Sequence, residues 1–348
     1  IATLVAESQL ADLTDLLAAP AYDTEGATVN DTLIPGSQST GVYDGVPRVF
    51  LYAETVYGIW HNQALFAEKG WTYPETWDDM MSLCAEIKDA GIAPWTYQGQ
   101  YPQYIRLFFD TMVAKNGGLE NLINIDNLQS DAWKQESVAN VLTALQMLPE
   151  NGYIMEGTEA LSHTESQASW LEGKAAFIPC GTWLENEMSD LIPEGFEMVV
   201  DPPSSLAGDV LPFSAIGAWA GENFQVSAQG KNVQGGKEWV RMLASKEAAR
   251  FFSEDTKSLT VVSGSADGLD LGAAFASAQT ALSDAGENTI SSRYADWYPT
   301  LDTESKNQFG ALLTMQVTVE EFMDNMQAAA DAVAKDDSIQ KYVRESAS

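Results

Sequence analysis

The chain has 348 residues, 45% of them hydrophobic, and its 18 Lys and Arg against 50 Asp and Glu give a formal net charge of −32. This charge argues against nucleic acid, whose affinity comes largely from cationic contacts to phosphate, and against anionic membrane surfaces. The length favours about two domains, and neutral small molecules, sugars among them, suit such an acidic surface best.

Cysteine and histidine are scarce. Cys84 and Cys180 are the only cysteines and each lies within an apolar pattern, so we expect buried free thiols without a disulfide framework. With His61 and His163 as the only histidines, we expect no metal and no cofactor. No run approaches the roughly 20 apolar residues of a membrane span. Ile1 starts in what reads as the middle of a helix, which predicts a missing upstream segment and no signal peptide within this sequence.

The first hundred residues predict alternating helices and strands. The pattern predicts a helix over 4–17, a loop over 20–47, strands over 46–52 and 55–61, a short helix over 63–69, a capped helix from Thr76 to Gly91 and a strand over 92–96. The next segment, 97–104, has three tyrosines, three amides, a Gly and a Pro. We interpret it as an exposed loop that crosses between domains.

The stretch 170–187 organises the rest of the chain. A helix ends at Gly173, and the apolar run 175–179 is typical of a strand buried on both faces. Gly181 turns the chain, and Trp183 opens the next helix. Ligands bind outside the carboxyl ends of strands in open α/β sheets, so Trp183 is predicted on a ligand-facing rim. The alternative is that Trp183 is a core residue.

Further elements follow on both sides of this stretch. The pattern predicts helices over 105–117 and 131–148, a strand over 196–200, a second crossing over 214–221, two helices within 235–252, a strand over 259–262 and a last helix from Thr318, with Glu321 completing a capping box. The segment 293–299 is rich in rings and hydrogen-bonding groups.

Four segments, in this order, resemble one family. They are GIWHNQALFAEKGW at 58–71 followed by PETWDD at 74–79, GKAAFIPCGTW at 173–183, GKEWVRMLASKEAAR at 236–250 and TVEE at 318–321. Together they are similar to the extracellular sugar-binding proteins of bacterial ABC importers, the maltose-binding-protein-like group. His61 stands where that family usually has Tyr.

The resemblance implies an α/β fold of two lobes joined by hinge crossings, with a sugar in the interlobe cleft. Lobe one would hold 1–97 plus 219–264, and lobe two 102–215 plus 268–348, with the N-terminal part of lobe one missing. The partners implied are a neutral carbohydrate and the permease subunits of an ABC importer. The protein would be a monomer outside the cytoplasm, in the periplasm or anchored as a lipoprotein on the outer face of the membrane.

Sugar binding needs flat rings for the C–H faces and amides or carboxylates for the hydroxyls. Trp183 is the first stacking candidate, by position and by its match to the family's cleft Trp; Trp219 is the second, with hinge packing as its alternative. The other candidates are Tyr97, Gln98, Gln100 and Tyr101 at the first crossing, Arg293, Trp297 and Tyr298 in the tail, Trp95 as either core or cleft, and Glu54 and Tyr57.

Three alternatives stay open from the residues alone. A glycoside hydrolase with a carboxylate pair is one, although no nucleophile, phosphate-loop or metal motif accompanies it. A cell-surface adhesion protein and the same fold binding a peptide or polyamine are the others.

The tyrosine–amide loop resembles that of N-acetylglucosamine or chitobiose binders in this family.

Overall fold

A computed structural model describes residues 1–345. The helices are α1 (Ala2–Ala6), α2 (Thr14–Leu17), α3 (Gln63–Lys69), α4 (Trp77–Asp89), α5 (Gln103–Gly117), α6 (Leu119–Asp126), α7 (Glu136–Glu150), α8 (His163–Leu171), α9 (Leu184–Glu187), α10 (Val233–Leu243), α11 (Lys246–Thr256), α12 (Ala273–Ala285), α13 (Tyr294–Trp297), α14 (Pro299–Leu313) and α15 (Val319–Lys335). The strands are β1 (Val42–Tyr43), β2 (Val46–Pro47), β3 (Phe50–Asn62), β4 (Ala93–Trp95), β5 (Ala175–Gly181), β6 (Met198–Asp201), β7 (Ile216–Phe224), β8 (Leu259–Thr260) and β9 (Thr289–Ile290).

The chain divides into two compact units, and neither is continuous in sequence. Among the described residues, the first comprises Ile1–Thr55 and Ala218–Ala276, and the second comprises Val56–Gly217 and 277–345. This division differs from the predicted one, because residues 56–97 lie in the second unit. The two strands predicted over 46–61 are largely one, β3, which carries the chain from the first unit into the second without a break.

The second unit is a mixed sheet covered by helices, as the α/β prediction requires. Its strand order is β4-β5-β3-β7-β9, with β6 also paired to β3. β5 is buried along its whole length and is parallel to β4 but antiparallel to β3. Away from the sheet, the rings of Phe109 and Trp133 stack 6.2 Å apart, and Phe309 and Phe322 complete that aromatic core.

The first unit is built around the amino-terminal part of β3. β8 pairs with it through Ala53 and Glu54. The ring of Tyr52 lies 5.6 Å from Phe224 and 5.1 Å from Phe252, both edge-on, so β7 and α11 meet on this strand. The helix predicted over 4–17 is wrong: α1 and α2 are separate, because Ser8 takes the left-handed conformation (φ 55°) that ends a helix.

Two local predictions are confirmed. Thr318 and Glu321 form the predicted capping box of α15. Both cysteines are free and buried. Within residues 1–345 no helix combines the length and the apolar character needed to span a membrane.

Candidate functional site

Four backbone positions lie next to one another at one edge of the second unit's sheet. Gly181 at the end of β5 pairs with Tyr57 of β3. A Cβ added to Gly217 of β7 would lie 3.5 Å from Cβ of Tyr57, and Gly217 pairs with Ile290 at the end of β9. The segments that follow β5 and β9 therefore leave the sheet at the same edge, where α/β proteins bind ligands.

Trp183 lies at this edge and is half-buried. Its ring covers Gly181 so closely that a Cβ there would be 2.0 Å from Cζ3 of the indole. The rings of Tyr57 and Tyr104 approach it edge-on, with centroids 5.4 and 5.8 Å away. We call Trp183, Tyr57 and Tyr104 the aromatic cluster. Trp183 is thus not sealed in the interior; that it stacks on a ligand stays a prediction.

The two tyrosines of the cluster are neutral hydrogen-bonding groups. Burial raises the pKa of Tyr57, and the nearby charge of Asp296 raises it further while Arg106 opposes that rise. Burial likewise raises the pKa of Tyr104. Both phenols therefore stay protonated at neutral pH.

Arg106, on the first turn of α5, is held by a buried polar group. Its Nη1 lies 3.5 Å from Oδ2 of Asp110, and its guanidinium carbon lies 5.7 Å from the centroid of the Tyr294 ring. Asp110 also accepts hydrogen bonds from the hydroxyls of Ser292 (2.6 Å) and Tyr294 (3.1 Å). Burial raises the pKa of Asp110 to about 6, although Arg106 lowers it.

The tail candidates are mostly packed. Tyr298 is a core residue, and its hydroxyl accepts a hydrogen bond from the Tyr342 backbone N–H at 3.1 Å. The guanidinium of Arg293 lies 5.4 Å from the centroid of the Trp297 ring and 3.9 Å from the Asp296 carboxylate. Arg293 and Trp297 are both buried, so Asp296 is the exposed member of this group.

The tyrosine–amide loop is not an exposed crossing, because it lies entirely within the second unit. Tyr97 and Gln98 are buried, and Gln98 Nε2 donates to the Pro179 carbonyl at 2.9 Å, which ties the loop to β5. Gln100 and Tyr101 are exposed; Gln100 Nε2 donates to a backbone carbonyl in the loop before α8.

Trp95, left open between core and cleft, is core. Its indole Nε1 donates to Sγ of Cys84 (3.3 Å), and its ring stacks on Phe108 with centroids 5.9 Å apart. Trp219 and Glu54 belong to the first unit, where both are half-buried, and burial raises the pKa of Glu54 to about 7. Their role in ligand binding stays a prediction.

Three residues of this edge escaped the sequence prediction: Tyr104, Arg106 and Asp296. Tyr104 could have been included, since it closes the aromatic loop already singled out. Arg106 lies between the apolar positions of a helix, a pattern typical of a solvated residue. Within residues 1–345 no group of three or more His, Cys, Asp or Glu side chains is arranged to hold a metal ion.

Comparison with known proteins decides the family. The model of the bacterial extracellular solute-binding protein family matches residues 3–250. The chain belongs to this family. It is also 31% identical over 336 residues to the diacetylchitobiose binding protein NgcE of Streptomyces coelicolor, an alignment that covers 96% of this chain and 71% of that protein.

Solved structures of other proteins have the same fold as this solute-binding protein. A chitin oligosaccharide binding protein superposes with a TM-score of 0.76 at 18% identity, covering 95% of this chain and 80% of the other. The SBP RafE in complex with raffinose gives a TM-score of 0.71 at 16% identity, covering 95% and 82%. These proteins confirm the two-lobe solute-binding fold class.

Proposed function

We propose that this solute-binding protein captures a neutral oligosaccharide of the N-acetylglucosamine type on its aromatic cluster and delivers it, unaltered, to the permease of an ABC importer. The observation that carries the proposal is the half-buried ring of Trp183, which follows β5 and is held by the rings of Tyr57 and Tyr104. The choice of sugar follows the 31% identity to a diacetylchitobiose binding protein.

The chemistry of the cluster suits such a ligand. A pyranose presents weakly apolar C–H faces, which a flat indole covers, and hydroxyls, which neutral phenols and amides can hydrogen-bond. A net charge of −32 disfavours anionic ligands at long range but leaves uncharged saccharides unaffected.

The decisive experiment is a calorimetric and Trp-fluorescence screen of N,N′-diacetylchitobiose, cellobiose, maltose, raffinose and spermidine. We expect diacetylchitobiose to bind most tightly and to raise the melting temperature, because a ligand that binds only the folded state stabilises it. Binding of spermidine without any saccharide would overturn the proposal in favour of the polyamine alternative.

A variant pair tests the site. Trp183→Ala should weaken binding of the preferred saccharide by tenfold or more, about 1.4 kcal/mol, because large rings carry much of the energy at binding sites. Trp239→Ala is the matched control, since that ring is 48% exposed and belongs to the first unit, whereas the aromatic cluster belongs to the second. Equal affinities of the two variants would exclude the cluster as the site.

The hydrolase alternative has its own test. Diacetylchitobiose incubated with stoichiometric protein should be recovered intact by mass spectrometry, because the proposal gives the protein no bond-breaking step. Accumulation of monosaccharide that scales with protein concentration would instead identify a glycosidase.

A further inference from the structure

The guanidinium of Arg106 makes few hydrogen bonds for a side chain that is so largely buried. A guanidinium has five N–H donors and no acceptor. Within residues 1–345 the side chain of Arg106 makes one hydrogen bond, the long one to Asp110, and its buried Nε meets no acceptor. Yet 88% of the side chain's surface is covered, since its relative exposure is 12%. Covering donors without acceptors costs free energy, so such an arrangement indicates a missing acceptor.

The position of Arg106 brings it beside the aromatic cluster. The charges of Arg106 and Asp296 both act on the phenol of Tyr57, and the ring of Tyr57 contacts Trp183. Arg106, Asp296 and the aromatic cluster therefore lie in one neighbourhood of the second unit.

Arg106 is also held in place rather than free to swing. Asp110 is fixed by Ser292 and Tyr294, and the Tyr294 ring lies under the guanidinium. A planar fork held from two sides keeps the direction of its remaining donors, and such pre-organisation lowers the entropy lost on binding.

We infer that Arg106 determines specificity for N-acetylated sugars by donating hydrogen bonds to the carbonyl oxygen of a ligand acetamido group. This inference rests on the proposed function. An amide carbonyl is an acceptor only, with two lone pairs, which matches a donor-only fork, whereas a hydroxyl at the same carbon is both a donor and an acceptor. Asp296, exposed beside the same group, is placed to accept from the acetamido N–H.

The test compares two disaccharides that differ at that carbon. N,N′-Diacetylchitobiose carries acetamido groups where cellobiose carries hydroxyls. The Kd of cellobiose, measured by competition, divided by the Kd of diacetylchitobiose therefore reports recognition of the acetamido group. Arg106→Gln should reduce this ratio at least tenfold, mainly by weakening diacetylchitobiose. Arg106→Lys, which keeps the charge facing Asp110 but loses the fork, should give an intermediate ratio. Arg250→Gln, on the exposed surface of the first unit, should leave the ratio unchanged.

The outcomes separate the two claims. If the wild type binds diacetylchitobiose and both Arg106 variants keep the wild-type ratio, Arg106 only balances the charge of Asp110, and the inference fails alone. If the wild type binds no saccharide, the proposed function fails and the inference with it. Should Arg106→Gln melt at a much lower temperature, the Lys variant decides, because a purely structural role cannot change the preference between two ligands.

Discussion

The contact between Gly181 and the indole of Trp183 offers a way to move the ring without removing it. In Gly181→Ala, the new Cβ would lie 2.0 Å from Cζ3 and 2.5 Å from Cε3 and Cη2 of Trp183. Cβ atoms essentially never approach closer than 3.0 Å, so the far end of the indole must move by about 1 Å or more. The ring can swing, so the overpacking alone should cost folding free energy near the low end of its usual range of about 1–3 kcal/mol.

The displacement should cost affinity as well as stability. Moving the indole breaks its edge-on contacts with Tyr57 and Tyr104, each worth about 0.5–1.5 kcal/mol. It also misplaces the surface on which the sugar would stack, so we expect diacetylchitobiose binding to fall at least tenfold. Gly117→Ala, at the other end of α5, is the matched control, because its Cβ would clash with the flexible side-chain amide of Asn121 and not with a ring of the aromatic cluster.

The assay combines titration calorimetry, the Trp emission spectrum and urea unfolding on the wild type and both variants. Gly181→Ala should shift the emission spectrum and weaken binding, while Gly117→Ala should change neither. A shifted spectrum with wild-type affinity would refute the placement of Trp183 in the binding site. An unshifted spectrum would refute the packing of its ring on Gly181.

Two further predictions concern stability. Burial lowers the pKa of His61 to about 4, below its value of about 6.5 in the unfolded chain, so the unfolded state binds more protons between these pH values and folding loses up to about 3 kcal/mol as pH falls; urea titrations at pH 7 and pH 4.5 should show a smaller loss for His61→Phe than for wild type, and an equal loss would show that His61 is not the group. Arg344 forms a buried ion pair with Asp126 (2.7 Å), so Arg344→Met should lower the free energy of unfolding by about 3–5 kcal/mol. Lys134→Met, at an exposed ion pair with Asp324, should lower it far less, because solvent screens such pairs. Similar melting temperatures for these two variants would contradict this reasoning.

The sequence predicted the surroundings of Trp183 better than those of the other candidate residues. The pattern predicted a helix end at Gly173, a buried strand over 175–179 and a turn at Gly181. Together these signals placed Trp183 correctly just beyond a buried strand. Gln98 was read as exposed because amides usually are, yet its hydrogen bond to Pro179 lets it be buried. This hydrogen bond joins residues that are far apart in the chain, so no local sequence pattern predicts it.

The division into units was harder to predict for a related reason. Residues 46–61 contain two apolar runs around Glu54, and a half-buried acid between such runs suggests a break. β3 instead continues through Glu54, which pairs with Leu259 of β8. Arg106 was missed because only the fold brings Asp110, Ser292 and Tyr294 together.

The discontinuity of the first unit has a consequence for biosynthesis. Residues 1–55 leave the ribosome well before 218–276, the portion that completes their unit. Until then Tyr52 lacks the rings of Phe224 and Phe252, while most of the intervening chain can already begin to collapse. We therefore expect the amino-terminal segment to depend on chaperones during translation and to be the first part cut by protease in nascent chains.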